Sequence, residues 1–92
     1  MYKQYYDGRL VEGLGKPMDV INPATGEVIG TVGCATADQA REALNAAERA
    51  QKAWAKTSLD HRIEWMLKLR EACIVEREYI VDLVSAESGR PY

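Results

Sequence analysis

Two cysteines and one histidine, together with a scatter of carboxylates, are the side chains of this 92-residue sequence that first suggest chemistry. Cys34 follows a β-branched segment and precedes a helix-start signal, a position where the positive end of a helix could lower a thiol pKa and create a nucleophile. No histidine lies near it in sequence to take the proton, so Cys34 reads as structural. Cys73 falls on an apolar helical stripe and reads as core. His61 has no Cys, His or Asp neighbours at metal-ligand spacing, which argues against zinc. Asp60, Glu64, Glu71, Glu76, Glu78, Asp82 and Glu87 include carboxylates that could in principle form an acid/base pair. Their interleaving with Arg62, Lys68, Arg70 and Arg77 is better explained by solvated helical ion pairs. Gly13-Leu14-Gly15 opens like a dinucleotide-binding fingerprint, but position 18 is Met18 where a third glycine is needed, and Pro17 leads into a strand rather than a helix. That segment is expected to be a flexible loop. Trp54 and Trp65 suggest helix-on-helix packing rather than a ligand-stacking platform. No catalytic, cofactor-binding or metal-ligating residue is therefore assigned.

The elements that position these residues follow from local signals. Asp7-Gly8, between Tyr5-Tyr6 and Arg9-Leu10-Val11, marks a tight hairpin. A second hairpin pairs a strand from about Met18 to Ile21 with one from Glu27 to Val32. Asn22 is held extended by the proline that follows it, Pro23 presets the turn, and Gly26 supplies the positive φ. Thr36-Ala37-Asp38-Gln39 has the capping-box form, followed by Ala40, Ala43, Leu44, Ala47, Ala50 and Trp54 at helical spacing, which predicts a helix over residues 37–56. Its small side chains imply close approach to a neighbouring surface. Thr57 or Ser58 starts another helix, with Leu59, Ile63, Met66, Leu67, Cys73 and Ile74 as its core stripe. The apolar phase shifts near Glu76, so a kink or break is expected there. Gly89 then suits a left-handed C-cap, and Pro91 blocks continuation. The expected class is α+β, with hairpins over residues 1–33 and two or three helices over residues 36–89.

Twelve Lys and Arg against fourteen Asp and Glu give a net charge of −2 with the signs interleaved, which offers nothing to nucleic acid. No apolar run approaches a membrane span, and Met1-Tyr2-Lys3-Gln4-Tyr5 lacks the apolar heart of a signal peptide, so a cytoplasmic location with both thiols reduced is expected. A compact globule of this length buries about 64 % of its unfolded surface, a gain that conformational entropy nearly cancels. An elongated shape buries less, so the chain needs something else to pack against.

Tyr6-Asp7-Gly8, Asn22-Pro23-Ala24-Thr25-Gly26-Glu27, Ala46-Ala47-Glu48-Arg49-Ala50, Trp54, Arg62 and Gly89-Arg90-Pro91 together span nearly the whole sequence. In that order they resemble the N-terminal end of the NAD(P)-dependent aldehyde dehydrogenases, which usually carry Lys where Arg90 stands. The resemblance implies that residues 1–92 are an incomplete N-terminal part of an α/β coenzyme-binding domain, with this region wrapping its outside as scaffold. It implies a complete enzyme that uses NAD or NADP to oxidise an aldehyde to a carboxylic acid through a cysteine thiohemiacetal, and that is a homo-oligomer. The nucleophilic cysteine, the general-base glutamate, the oxyanion donor and the dinucleotide-binding unit of that family all lie beyond this segment. The remainder of the same polypeptide is then the partner, no cofactor is bound by these residues, and they are inactive alone. Some family members hold a monovalent cation partly through backbone carbonyls of the strand matching Val20 and Ile21, but no metal is assigned here. A second reading is a standalone helical interaction module that uses the alanine-rich face. The stop at Pro91-Tyr92 without a polar tail argues against it.

Overall fold

The computed structural model describes residues 1–91, as two antiparallel hairpins followed by three helices. Strands β1 (Gln4–Tyr6) and β2 (Arg9–Val11) are joined by Asp7 and Gly8, with φ of 53° and 72°. Two successive positive φ values give the primed turn whose twist matches the strands, with Tyr6 opposite Arg9. Strands β3 (Pro17–Ile21) and β4 (Val28–Gly33) pair with a register irregularity between Val20 and Ile21. Their turn is closed by Asn22, whose carbonyl accepts from the Gly26 N–H (2.7 Å) and whose Oδ1 accepts from the Ala24 N–H (2.9 Å). An unexpected third partner joins this hairpin. Tyr2 runs parallel beside Val32, donating its N–H to the Thr31 carbonyl (2.7 Å) and accepting from the Gly33 N–H (3.1 Å).

Helix α1 (Ala37–Trp54) starts at the expected capping box and sets its alanine stripe against the first hairpin. Ala43, Ala46, Ala47 and Ala50 border a cavity of about 300 Å³ with Tyr6, Asp7 and Gly8. Ala46 is buried there, at 8 % exposure. The small-residue face meets the hairpin only in part: Ala43 is half-buried, whereas Ala40, Ala47 and Ala50 of the expected stripe are exposed.

Helix α2 (Leu59–Val75) starts at Ser58, whose hydroxyl accepts from the His61 N–H (3.1 Å). It stops one residue before Glu76, where the apolar phase shifts, and α3 (Arg77–Ser88) continues beyond. Gly89, with φ of 71°, ends α3 in the left-handed region and lies against the β3–β4 turn. A Cβ on it would come within 2.9 Å of Pro23 Cγ.

The expectation that α2 contributes a core stripe is corrected: Leu59, Ile63, Met66, Leu67, Cys73 and Ile74 are all exposed, as are Leu44 and Trp54 of α1. Each stripe is apolar, but neither closes on the other. The accessible surface is 7689 Å², against about 5,400 Å² for a compact globule of this mass. The radius of gyration is 16.7 Å, against about 12 Å for a compact chain of this length. What core exists lies between the hairpins and α1.

Candidate functional site

Gln39 is the buried polar residue around which the N-terminal half is organised, at 3 % exposure. Its backbone N–H donates to Thr36 Oγ1 (3.1 Å), and its Oε1 accepts from the Thr36 N–H (3.1 Å), completing the capping box. The same Oε1 accepts from the Leu14 N–H (2.9 Å), and Nε2 donates to the Glu12 carbonyl (2.7 Å). Gly15 adds its N–H to the Cys34 carbonyl (2.8 Å). A Cβ on Gly13 would overlap the Gly33 carbonyl oxygen, and one on Gly15 would lie 2.9 Å from the Cys34 oxygen. The Gly13-Leu14-Gly15 segment is thus no flexible loop. Its glycines allow backbone to lie on backbone, and Gln39 and Cys34 fasten it.

This arrangement bears directly on nucleotide binding. A pyrophosphate cradle needs N–H groups directed at the ligand from a loop that opens a helix. The N–H groups of Leu14 and Gly15 are already bonded within the chain, and the loop leads into β3. These residues do not fit a dinucleotide.

Cys34 sits half-buried between β4 and Thr36, and its carbonyl is the acceptor for Gly15. Both Cys34 and Cys73 are free thiols, 39 positions apart in sequence and on different elements. Among the described residues, no three His, Cys, Asp or Glu side chains converge as metal ligands. His61 is exposed, and its Nε2 accepts from Trp65 Nε1–H (3.1 Å) while its ring lies 6.2 Å from that of Trp54. Trp54 of α1 thus meets His61 and Arg62 of α2, a helix-to-helix contact as expected, whereas Trp65 packs on His61 and Lys68 of its own helix. Lys68 Nζ stands 4.4 Å over the Trp65 ring.

Arg62 locks that corner. Its Nη2 donates to the Trp54 and Ala55 carbonyls (3.2 and 3.1 Å), and Nε donates to Thr57 Oγ1 (3.2 Å). A guanidinium placed on the last carbonyls of α1 satisfies groups the helix leaves open and complements its negative end. Sequence reasoning did not assign this role, because the acceptors belong to the preceding helix. On the other side of α1, Tyr6 donates its hydroxyl to Glu42 Oε2 (3.0 Å). Desolvation, and then the Glu42 carboxylate, raise the Tyr6 phenol above its ordinary pKa of 10.0. These contacts hold elements together, and no nucleophile, base and orienting group meet among them. No helix of the described residues is long and apolar enough to cross a membrane.

Comparison with known proteins gives this scaffold a family. The model of the aldehyde dehydrogenase family matches residues 10–92. A malonate-semialdehyde dehydrogenase 2 of Bacillus cereus is 34 % identical over 91 residues, covering 98 % of this chain and 19 % of the relative. The 3,6-anhydro-alpha-L-galactose dehydrogenase of Vibrio sp. (strain EJY3) is 33 % identical over 92 residues, with 99 % and 19 % covered. A crystal structure described as an aldehyde dehydrogenase from Bacillus subtilis subsp. subtilis str. 168 superposes with a TM-score of 0.83 at 30 % identity, covering 91 % of this chain and 19 % of that one. The chain spans about a fifth of the length of the relatives it matches. Its two hairpins and three helices superpose on a solved fold over nearly the whole sequence, and the chain belongs to the aldehyde dehydrogenase family.

Proposed function

We propose that these 92 residues are the N-terminal scaffold segment of the coenzyme-binding domain of a cytoplasmic, homo-oligomeric NAD(P)-dependent aldehyde dehydrogenase. The complete enzyme oxidises an aldehyde to the carboxylic acid through a cysteine thiohemiacetal, and the segment alone is inactive. The observation that carries this reading is the bare α2–α3 arm in a chain whose family match covers almost its full length. Apolar surface of that extent belongs against the rest of a domain. The residues of this segment contribute the frame: Gln39 pins the glycine loop to α1, Arg62 fixes the α1–α2 corner, and Gly89 docks α3 on the β3–β4 turn.

Relatives named for malonate semialdehyde, for 3,6-anhydro-alpha-L-galactose and for N-succinylglutamate 5-semialdehyde match at 34, 33 and 33 % identity. Near-equal identity to enzymes of three different aldehydes supports a segment that carries the family and not the substrate. The test is calorimetric titration of the isolated chain with NAD+ and NADP+, alongside Cys34→Ala in the complete enzyme. No heat of binding and unchanged turnover are expected. Micromolar coenzyme affinity in the isolated chain, or a turnover loss of about 100-fold with the fold intact, would overturn the scaffold assignment.

A further inference from the structure

Apolar side chains occupy an arc of roughly 220° around α2 at about 100° per residue, while Asp60, Glu64, Glu71, Lys68 and His61 share the opposite side. Two arginines interrupt that arc: Arg62, whose guanidinium is held by the Trp54 and Ala55 carbonyls, and Arg70. The neighbours of Arg70 three and four residues away are Met66, Leu67, Cys73 and Ile74, so no carboxylate of α2 faces it. Arg41, by contrast, meets Asp38 one turn away at 2.7 Å. Among the described residues Arg70 has neither an ion pair nor a hydrogen bond. The side chains surrounding it are themselves more than half exposed, Met66 at 63 %, Leu67 at 52 % and Ile74 at 56 %.

We propose that the α2 face that carries Arg70 is covered, in the complete polypeptide, by a surface of the same chain beyond residue 92 that sets a carboxylate opposite the Arg70 guanidinium. The inference rests on the reading of the chain as part of a longer aldehyde dehydrogenase. The occupant follows from relatives of which this chain covers only 19 %, and from a surface about 2,300 Å² larger than that of a compact globule. The charge follows from desolvation. A guanidinium enclosed by apolar contact is held there by a paired acid, and its planar fork favours a carboxylate met by two parallel hydrogen bonds.

The experiment uses the polypeptide continued beyond residue 92, with Arg70→Leu, Arg70→Lys and Met66→Asp compared by thermal melting across acidic and neutral pH. Arg70→Leu is expected to lower the melting temperature at neutral pH, because it leaves the opposing carboxylate buried and unpaired. Burial raises the pKa of that orphaned acid, so the deficit is present above its pKa and shrinks as acidification neutralises it. If Arg70→Leu does not fold at neutral pH, recovery of its fold in acid is the same result. Arg70→Lys should retain part of the stability. Arg70→Leu melting at or above the parent at every pH, while Met66→Asp still unfolds the protein, would mean a covered face without a carboxylate and would overturn this inference alone. Met66→Asp tolerated without loss would mean that nothing covers the face, and would overturn both the inference and the reading beneath it.

Discussion

Replacing Gln39 by Ala removes one side chain and leaves three main-chain groups without their partner: the Glu12 carbonyl, the Leu14 N–H and the Thr36 N–H. Two of these bonds tie the 12–15 segment, so at about 1 kcal/mol of net stability per hydrogen bond its opening equilibrium shifts by about 2 kcal/mol, or roughly 30-fold, while the third bond is lost from the α1 cap. Removing the cap alone with Thr36→Ala forfeits one side-chain bond and costs about 1 kcal/mol, roughly a fivefold effect. Amide hydrogen exchange reads this locally, without requiring a sharp global transition. The Leu14 and Gly15 amides should lose about one and a half decades of protection in Gln39→Ala and less than one in Thr36→Ala. Gln39→Glu should fall between them, since a carboxylate still accepts from Leu14 and Thr36 but cannot donate to Glu12. If the Leu14 amide exchanges equally fast in the parent and in Gln39→Ala, the fastening of the glycine loop by Gln39 is wrong.

Gly13→Ala should open the same segment more severely than Gly8→Ala. The first Cβ overlaps the Gly33 carbonyl, whereas the second meets no atom within 4 Å and bears only the strain of its positive φ, about 1 kcal/mol. Equal loss of Leu14 amide protection in the two variants would contradict this. The isolated chain should keep its far-ultraviolet helix signal, bind hydrophobic dye and self-associate through the α2–α3 arm, and a monomer with a cooperative melt would exclude that. Because the Tyr6 pKa is raised in the folded chain, the contribution of its neutral phenol is fully present below pH 10.0 and is lost as pH rises through the folded value. Helix signal followed into alkali should therefore fall more steeply in the parent than in Tyr6→Phe, and parallel curves would remove Tyr6 from the account.

Features specified within a few residues were legible in the sequence. Asp7-Gly8, Gly26, the Thr36–Gln39 box, the phase shift at Glu76 and the left-handed Gly89 each carry a local signal and each is found in place, while of Thr57 and Ser58, both offered as the start of α2, Ser58 is the cap. Features needing a distant partner were not. Gln39 announced its link to Thr36 but not its bonds to Glu12 and Leu14, more than twenty positions away. Gly13 looked like slack because a close backbone approach leaves no pattern along the chain, and Tyr2 gave no sign of pairing with β4. The stripe on α2 was visible, but a stripe states only that something covers it. The family was legible because its phrase lies in these turns and caps; the substrate was not, because that phrase consists of turn and cap residues.

The seat of Gly89 on the β3–β4 turn joins points separated by more than two-thirds of the chain. At a synthesis rate of about 5–20 residues per second, the turn therefore waits roughly 3–13 s for its latch to emerge from the ribosome. During that interval the hairpins and α1 can already fold, while α2 enters the cell as a bare greasy rod tethered at one end. A codon change that slows translation between Glu76 and Gly89 would lengthen the wait of the turn for its latch without altering a single side chain.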